Sequence, residues 1–359
     1  ITNSGTINHK VNLFTSKGLI TNNGTINNYA TMKNDVYGIV NNNSNIVNNS
    51  NFNNSHIINN KASSFINNRN TFTNDKTVNI EATSTINNYS SFTNNDLLNI
   101  IANGVYVNKS QSTTTNTKII DNFGLITIED SSTLHLNATS DLNNKANANI
   151  NNNGTINSKK TSTFINDGTF TNKSGNETMR GLVNIYGLVK NNNIVSNSGK
   201  FDIKADQGLF ENYLNLTNDS IIISAGTIKN FKVATTTNNH YILNNNLIKN
   251  YGTMTNTKTI RNLSGTIENY NSLNNTASGS ITNKNVFINK GLSPTNNDNV
   301  SMTGILPTIE NTGNYINESG TLTNYGKINN NLTTGTFTNA FTLINETTGV
   351  FNNHNSLTN

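Results

Sequence analysis

The chain has 359 residues, of which 33% are hydrophobic and 12% are charged, and its formal net charge is +5. Cysteine is absent, which excludes disulfide frameworks, thiol nucleophiles and cysteine-ligated zinc. The composition is too polar for a conventional globular core, yet it carries too little charge for a typical disordered chain. The basic residues are scattered and no apolar run is long enough to span a bilayer, so the sequence predicts neither a nucleic-acid partner nor a membrane span in this segment.

From Ile20 onward the sequence repeats about every 20 residues, and residues compared at that step fall into chemically uniform columns. Three of these columns are apolar and lie six residues apart. The first holds Ile26, Ile46, Ile66, Ile86, Tyr106 and Ile126; the second holds Met32, Phe52, Phe72 and Phe92; the third holds Ile20, Val40, Asn60, Ile80, Ile100 and Ile120. We expect the apolar columns to form the core of a stack of repeats.

The polar columns are equally regular. Asparagine fills two of them, at Asn28, Asn48, Asn68, Asn88 and Asn108 and at Asn34, Asn54, Asn74 and Asn94. Small residues suited to turns fill another, at Gly24, Ser44, Ser64, Ser84, Gly104 and Gly124. Because stacked asparagine side chains bond amide to amide in cross-β assemblies, we expect Asn ladders along the stack.

Apolar and polar residues alternate within each segment, as in Thr71–Asn74, which is the period of a strand with one buried face. Asn, Thr, Ser and Gly also disfavour helix. Three such segments per repeat predict an all-β fold, a single-stranded parallel β-helix (β-solenoid) with roughly triangular coils of about 20 residues. The motif continues through Ile150–Ile156 and Ile316–Asn330, so residues 1–359 are predicted to form one continuous solenoid. Both coil handednesses fit the pattern.

Three stretches break the pattern and are predicted to be irregular coils or loops, where a specific binding site would be sought first: 109–118, 130–148 and 292–307. The last contains both prolines, Pro294 and Pro307. Motif-like sequence also reaches both ends of the chain without a capping pattern. We therefore expect a longer natural structure, made either by neighbouring domains or by subunits that stack end to end.

The sequence predicts no catalytic, cofactor or metal site. The five histidines are far apart and in different phases of the repeat: His9, His56, His135, His240 and His354. Some parallel β-helices are carbohydrate-active enzymes, and the nearest candidates for that chemistry are Glu129 and Asp130, with Asp121 and Lys118 nearby. Neighbouring residues of a strand point to opposite faces, so Glu129 and Asp130 are not expected to cooperate.

Thr-x-Thr pairs suggest a third hypothesis, because regular threonine ranks on a flat solenoid face can order water and bind ice. The pairs are Thr71/Thr73, Thr169/Thr171, Thr253/Thr255, Thr321/Thr323 and Thr336/Thr338. At a 20-residue step the neighbours of Thr71/Thr73 are Asn51/Asn53 and Ser91/Thr93, and the pairs are scattered over many coils. The threonines are therefore interpreted as good exposed strand formers.

The segments ITNSGTI at Ile1–Ile7, GTINN at Gly24–Asn28 and GTIN at Gly154–Asn157 resemble the repeats of large microbial surface proteins. They are similar to haemagglutinin-type and autotransporter-passenger adhesins and to asparagine-rich repeat proteins of archaea and AT-rich bacteria. The resemblance implies export and contact with other copies of the chain or with glycans on a host or neighbouring cell.

The sequence thus predicts an extracellular or cell-surface structural protein that is not an enzyme, acting as a self-assembling fibre subunit or an adhesin stalk. A carbohydrate-active β-helix and an ice-binding solenoid are the alternatives.

Overall fold

The computed structural model describes residues 1–173, 181–205 and 207–290, together with strands at 308–311, 314–317, 321–324, 327–330, 336–339, 342–345, 350–353 and 356–358. These residues form β-strands joined by turns, and none of them belongs to a helix able to cross a membrane. The chain divides into two units, Ile1–Gly187 and Leu188–Asn359. Each unit contains three parallel sheets, which we call faces A, B and C.

In the first unit each coil passes through faces A, B and C in turn. Face A contains Thr2–Asn3, Leu19–Asn22, Ile39–Asn42, Ile57–Asn60, Thr77–Ile80, Leu97–Ile100, Ile119–Asn122, Asp141–Asn144 and Thr163–Asn166. Face B contains Thr6–His9, Thr25–Asn28, Asn45–Asn48, Phe65–Asn68, Thr85–Asn88, Val105–Asn108, Leu125–Ile128, Asn149–Asn152 and Thr169–Asn172. Face C contains Leu13–Ser16, Thr31–Asn34, Asn51–Asn54, Thr71–Asn74, Ser91–Asn94, Thr113–Asn116, Thr133–Leu136, Thr155–Ser158 and Leu182–Ile185.

The second unit repeats the arrangement. Its face A contains Leu188–Asn191, Leu209–Asn212, Thr227–Asn230, Leu247–Asn250, Thr266–Asn269, Val286–Asn289, Thr321–Asn324 and Thr342–Asn345. Its face B contains Ile194–Asn197, Asn215–Asn218, Thr235–Asn238, Thr253–Asn256, Ser272–Asn275, Thr308–Asn311, Lys327–Asn330 and Val350–Asn353. Its face C contains Lys200–Ile203, Ile221–Ser224, Tyr241–Asn244, Thr259–Asn262, Ser280–Asn283, Asn314–Asn317, Thr336–Asn339 and Ser356–Thr358.

The predicted all-β solenoid with coils of about 20 residues is confirmed by this strand pairing. That residues 1–359 form a single uninterrupted solenoid stays a prediction. Within most four-residue strands the second and fourth side chains are buried, while the first and third face outward, as in Thr25–Asn28. The second position is usually apolar and the fourth is usually asparagine. Side-chain alternation therefore sets the core chemistry of every coil.

Turns of two or four residues join the strands, and they explain why coil length varies. Three strands with three two-residue turns give the 18-residue step that pairs Ile39 with Ile57. One four-residue turn gives the 20-residue step between Ile57 and Thr77. Two give the 22-residue step between Leu97 and Ile119. Coil length therefore changes by two residues for each longer turn.

The short coil shows that the third predicted apolar column is wrong. Val40 pairs with Ile58, and the column continues through Val78, Leu98 and Ile120. Asn60, Ile80 and Ile100 instead occupy the fourth positions of their strands. A fixed 20-residue comparison crosses from one buried position to the other because this coil is two residues short.

Two of the stretches predicted to be irregular are regular parts of the solenoid, so those predictions are wrong. Segment 109–118 contains the face C strand Thr113–Asn116, and segment 130–148 contains Thr133–Leu136 and Asp141–Asn144. The pattern slips there because four-residue turns lengthen the coils. The third stretch, 292–307, lies outside the described residues.

Buried asparagines close the two-residue turns. Asn22 donates from Nδ2 to the carbonyl oxygen of Gly24 at 2.9 Å, to that of Asn45 at 3.0 Å, and to Oδ1 of Asn42 in the next coil at 2.8 Å. The same side chain thus closes its own corner and links two coils. The predicted Asn ladders are present as continuous series of such amide bonds.

Four-residue turns close themselves with backbone bonds. Ser64 N donates to Lys61 O at 3.1 Å, and Ser84 N donates to Glu81 O at 3.0 Å. Many have their third residue in the left-handed region, including Ser63 at φ 61° and Asn103 at φ 65°. Because the backbone closes these corners, a fourth-position asparagine is dispensable there, and apolar residues precede several of these turns: Ile80, Ile100, Ile128 and Leu136.

The corner geometry predicts that the buried asparagines differ in importance. Asn74→Ile removes the bonds to Lys76 O, Leu97 O and Asn94 Oδ1, and buried groups left unsatisfied cost about 1–3 kcal/mol each. Asn60→Ile precedes a self-closed turn and places an isoleucine beside Ile80. We expect Asn74→Ile to lower the free energy of unfolding by about 2 kcal/mol more than Asn60→Ile.

Urea unfolding followed by circular dichroism measures this difference. Asn67→Ala, on the outward side of face B, is the control for loss of an exposed amide. Equal destabilisation by the two isoleucine substitutions would contradict the proposed role of the asparagine in closing two-residue corners.

Candidate binding surfaces

The column residues predicted from the sequence lie inside the first unit. The second positions of face B hold Ile26, Ile46, Ile66, Ile86 and Ile126, and those of face C hold Met32, Phe52, Phe72 and Phe92; each is at most 3% exposed. Phe52 stacks on Phe72 with ring centroids 4.9 Å apart, and Phe72 meets Phe92 edge-on at 5.0 Å. These side chains form core and do not contact a ligand surface.

The two asparagine columns lie at fourth positions. Amide bonds of 2.7–2.9 Å join Asn28, Asn48, Asn68, Asn88 and Asn108 on face B. Bonds of 2.7 Å join Asn34, Asn54, Asn74 and Asn94 on face C. Each of these side chains is fully buried. They hold coils together and are not available to a partner.

The predicted turn residues all precede face B strands. Gly24, Ser44 and Gly124 end two-residue turns, whereas Ser64, Ser84 and Gly104 end four-residue turns. A Cβ on Gly24 would lie 2.0 Å from Gly5 O, so only glycine permits that approach between coils. Ser64 and Ser84 instead donate from Oγ to the carbonyl oxygen of the first turn residue, at 2.5 and 2.7 Å.

The groups considered for catalysis are held apart by separate ion pairs. Glu129 contacts Lys109 at 2.9 Å, and Asp121 contacts Lys145 at 3.3 Å. Lys118 pairs with Asp96 at 2.8 Å. Glu129 belongs to the turn after face B, whereas Asp121 lies on face A. The structure therefore does not bring Glu129 and Asp121 together as a pair.

The described histidines also lie at separate places. His9 heads the face B ladder, with Nδ1 2.8 Å from Asn28 Oδ1, and His135 lies on the outward side of face C. His56 and His240 occupy turns, while His354 is outside the described residues. Among the residues that the structure describes, no group of three His, Asp or Glu side chains is placed to hold a metal ion.

The outward side of face A in the first unit is a line of surface amides. Asn59 donates to Asn41 at 2.9 Å, Asn79 to Asn59 at 2.9 Å, and Asn99 to Asn79 at 3.1 Å. These bonds fix the amides in one orientation and leave a neutral, hydrogen-bonding surface. Sequence analysis singled out the buried ladders but did not separate this outward line from them.

Face C of the first unit carries a hydroxyl array that sequence analysis missed. Strand pairing places these outward pairs on successive coils: Thr71/Thr73, Ser91/Thr93, Thr113/Thr115, Thr133/His135 and Thr155/Asn157. The step from Ser91 to Thr113 is 22 residues, so a 20-residue comparison leaves the rank undetected. The prediction that the threonine pairs are scattered is therefore wrong for this face.

The second unit has a charged and aromatic corner beside its face A. Tyr213 stacks on Phe231 with ring centroids 4.1 Å apart, and Lys190 lies 4.7 Å over the Tyr213 ring. Tyr213 donates its hydroxyl to Glu211 at 3.1 Å. Burial, together with the nearby Glu211 charge, raises the pKa of Tyr213 to about 12. The charged groups here bind one another.

An open groove of about 400 Å³ lies where three successive coils of the first unit turn from face C. Ala138, Lys159, Lys160 and Tyr186 line it. The four-residue turns around Ala138 and Lys160 are stacked, with Thr139 N donating to Thr161 Oγ1 at 3.3 Å. Tyr186 begins the two-residue turn of the next coil, and its ring is 40% exposed.

The strand pairing defines this chain as a parallel β-solenoid. The sequence matches no known family model, and no curated protein matches it. Among solved structures it is similar to the crystal structure of a TibC-catalysed hyper-glycosylated TibA55-350 fragment, at 14% identity over 100% of this chain and 99% of that chain. The TM-score is 0.27, so this likeness carries no argument about function.

The Tyr213 environment predicts a measurable titration. Glu211→Gln removes the negative charge and the charged acceptor that oppose ionisation of the phenol, while burial of the ring remains. The pKa of Tyr213 should therefore fall below 12 but stay above 10. NMR titration of ring-labelled tyrosine measures it, with Glu268→Gln as the control because Glu268 accepts from Tyr270 instead. An unchanged Tyr213 pKa in Glu211→Gln would contradict this assignment.

Proposed function

We propose that the chain is an extracellular or cell-surface structural protein, a rigid β-solenoid that acts as an adhesin stalk or as a subunit of a fibre. The observation that carries the proposal is the buried amide ladder. Each ladder amide is bonded both to its own corner and to the next coil, so bending or separating two coils breaks several bonds at once. Such coupling suits a protein that transmits force or spans distance.

The outward faces support contact with neutral, hydrogen-bonding partners. Face A presents amides, face C presents hydroxyls, and many of the charged side chains are neutralised in ion pairs such as Lys61–Glu81 at 2.6 Å. Glycans on a host or neighbouring cell offer matching hydroxyl groups, and another copy of the chain offers matching amides. These are the partners we propose, and their recognition needs no catalytic group, cofactor or metal.

Two measurements on the purified chain test this proposal. Electron microscopy over a range of concentrations should show either filaments, which identify a fibre subunit, or separate particles. In the second case, beads coated with the chain should be retained under flow on glycan-coated surfaces and released by soluble glycan, which identifies an adhesin.

Particles that neither assemble nor adhere would contradict both forms of the proposal. Release of reducing sugar from polysaccharide would instead support the carbohydrate-active alternative. Incubation of the chain with a set of plant and microbial polysaccharides checks that outcome directly.

Binding to ice is a second candidate function, favoured by the hydroxyl array on face C. Adjacent strands lie about 4.8 Å apart and alternate residues of one strand about 6.7 Å apart, so the array is a two-dimensional lattice of hydroxyl and methyl groups. The Phe52–Phe72 stack and the buried ladders support a flat sheet behind it. A fixed lattice of this scale can order water.

Inhibition of ice recrystallisation tests this second function. Thr93→Lys with Thr115→Lys places two long charged side chains in the middle of the array, which should abolish any inhibition. Asn59→Lys with Asn79→Lys adds the same charges to face A and should leave inhibition unchanged. Equal activity of the two double variants, or no activity in the unmodified chain, would exclude face C as an ice-binding surface.

A further inference from the structure

The groove lined by Ala138, Lys159, Lys160 and Tyr186 differs from the rest of the outward surface. Most outward lines of the first unit repeat one kind of side chain from coil to coil, whereas this corner places a methyl group, two lysines and a tyrosine on three successive coils. Its volume of about 400 Å³ lies within the roughly 300–1,000 Å³ of small-molecule sites. The groove is large enough for a sugar residue.

The backbone builds the groove from two stacked four-residue turns and one shorter turn. Ala138 and Lys160 occupy the same place in their turns, and the short Ala138 side chain leaves the space that a longer residue would fill. Gly187 brings the Tyr186 turn close, because a Cβ there would lie 2.3 Å from Ser162 O and 2.6 Å from Lys159 O. The Tyr186 amide is also fixed, donating to Ser158 O at 2.9 Å.

The groove is positively charged. Lys159 and Lys160 are both exposed, and their stems line an otherwise apolar wall while their ammonium groups can reach the rim. Close by, burial and then the Lys159 charge lower the pKa of His135, so His135 adds no opposing charge at neutral pH. The rim therefore favours an anionic group.

The Tyr186 ring offers an apolar face beside this positive rim, and its hydroxyl adds a polar contact at the far end. The C–H face of a pyranose packs on an aromatic ring, and a carboxylate on the same sugar forms charge-assisted hydrogen bonds with lysine ammonium groups. A neutral sugar would satisfy only the ring, and an inorganic anion would satisfy only the lysines.

We propose that this groove binds an acidic sugar, with its pyranose ring against Tyr186 and its carboxylate between Lys159 and Lys160. The inference rests on the proposed adhesive function and names the class of glycan that it recognises. One groove on an exposed corner gives weak binding, on the order of 1 mM in Kd. Many copies on one cell surface would raise the overall strength of attachment.

Ligand-detected NMR and calorimetry test the groove with defined probes: tri-galacturonate and sialyllactose as acidic sugars, and the carboxyl-reduced trimer and lactose as their neutral counterparts. At least one acidic sugar should bind, about tenfold or more tighter than its neutral counterpart. Binding should weaken as ionic strength rises from about 0.01 M to about 1 M, because salt screens the lysines. Absence of acidic-sugar binding, or equal binding of neutral sugars, would overturn the proposal.

Variants of exposed side chains locate the site. Lys159→Gln with Lys160→Gln should weaken acidic-sugar binding about tenfold or more, and Tyr186→Ala should do the same. Tyr89→Ala is the matched control, because Tyr89 also begins a two-residue turn and is 47% exposed, but lies at another corner. Circular dichroism checks that each variant folds. Acidic-sugar binding that survives in the groove variants would place the site elsewhere.

Flow retention of coated beads separates this inference from the function on which it rests. If beads carrying all three groove substitutions still adhere to glycan surfaces, the groove is wrong and the adhesive function stands. If beads carrying the unmodified chain fail to adhere although the acidic sugar binds, the groove is correct and the adhesive function is wrong.

Discussion

The buried asparagine at the fourth position of each strand is the interaction on which this solenoid depends. A strand that turns after only two residues leaves backbone carbonyl groups inside the corner, and buried carbonyl groups need donors. Asn22 supplies them at Gly24 and Asn45 and also donates to Asn42, so one amide serves three acceptors. A serine is an adequate substitute where the corner is open, as Ser16 shows by donating to Gly18 O at 3.0 Å.

The ladder has a direction, and its interruptions have a cost. Each Nδ2 donates toward the next coil, so the first asparagine of a ladder lacks a donor for its own Oδ1. Asn34 follows Ser16 and Asn152 follows Ile128, and the Oδ1 atoms of both asparagines are buried without a partner. Leaving such an acceptor unsatisfied costs about 1–3 kcal/mol. Long unbroken ladders are therefore more stable than short ones, which accounts for the phase of asparagine in this sequence.

Much of the fold can be predicted from the sequence because the interior repeats in two chemical classes. The apolar column from Ile26 to Ile126 and the asparagine column from Asn28 to Asn108 keep a 20-residue step, and both are buried as lines in the structure. The column that runs through Asn60 could not be predicted at a fixed step, because the coil before it has no four-residue turn. A change of two residues keeps side-chain alternation, so the pattern looks intact while its register has moved.

The outward surface was harder to predict for the same reason. Thr113 joins the rank of Thr71 and Ser91 only after the turn at 109–112 has lengthened the coil, and the groove beside Tyr186 forms only where two longer turns are stacked. The interior constrains two of every four strand residues, whereas the first and third positions and the longer turns are free to vary. Function in such a solenoid therefore depends on turn length, which decides which outward side chains become neighbours. A reading that assigns each turn its length before aligning the coils would recover the face C array from sequence alone.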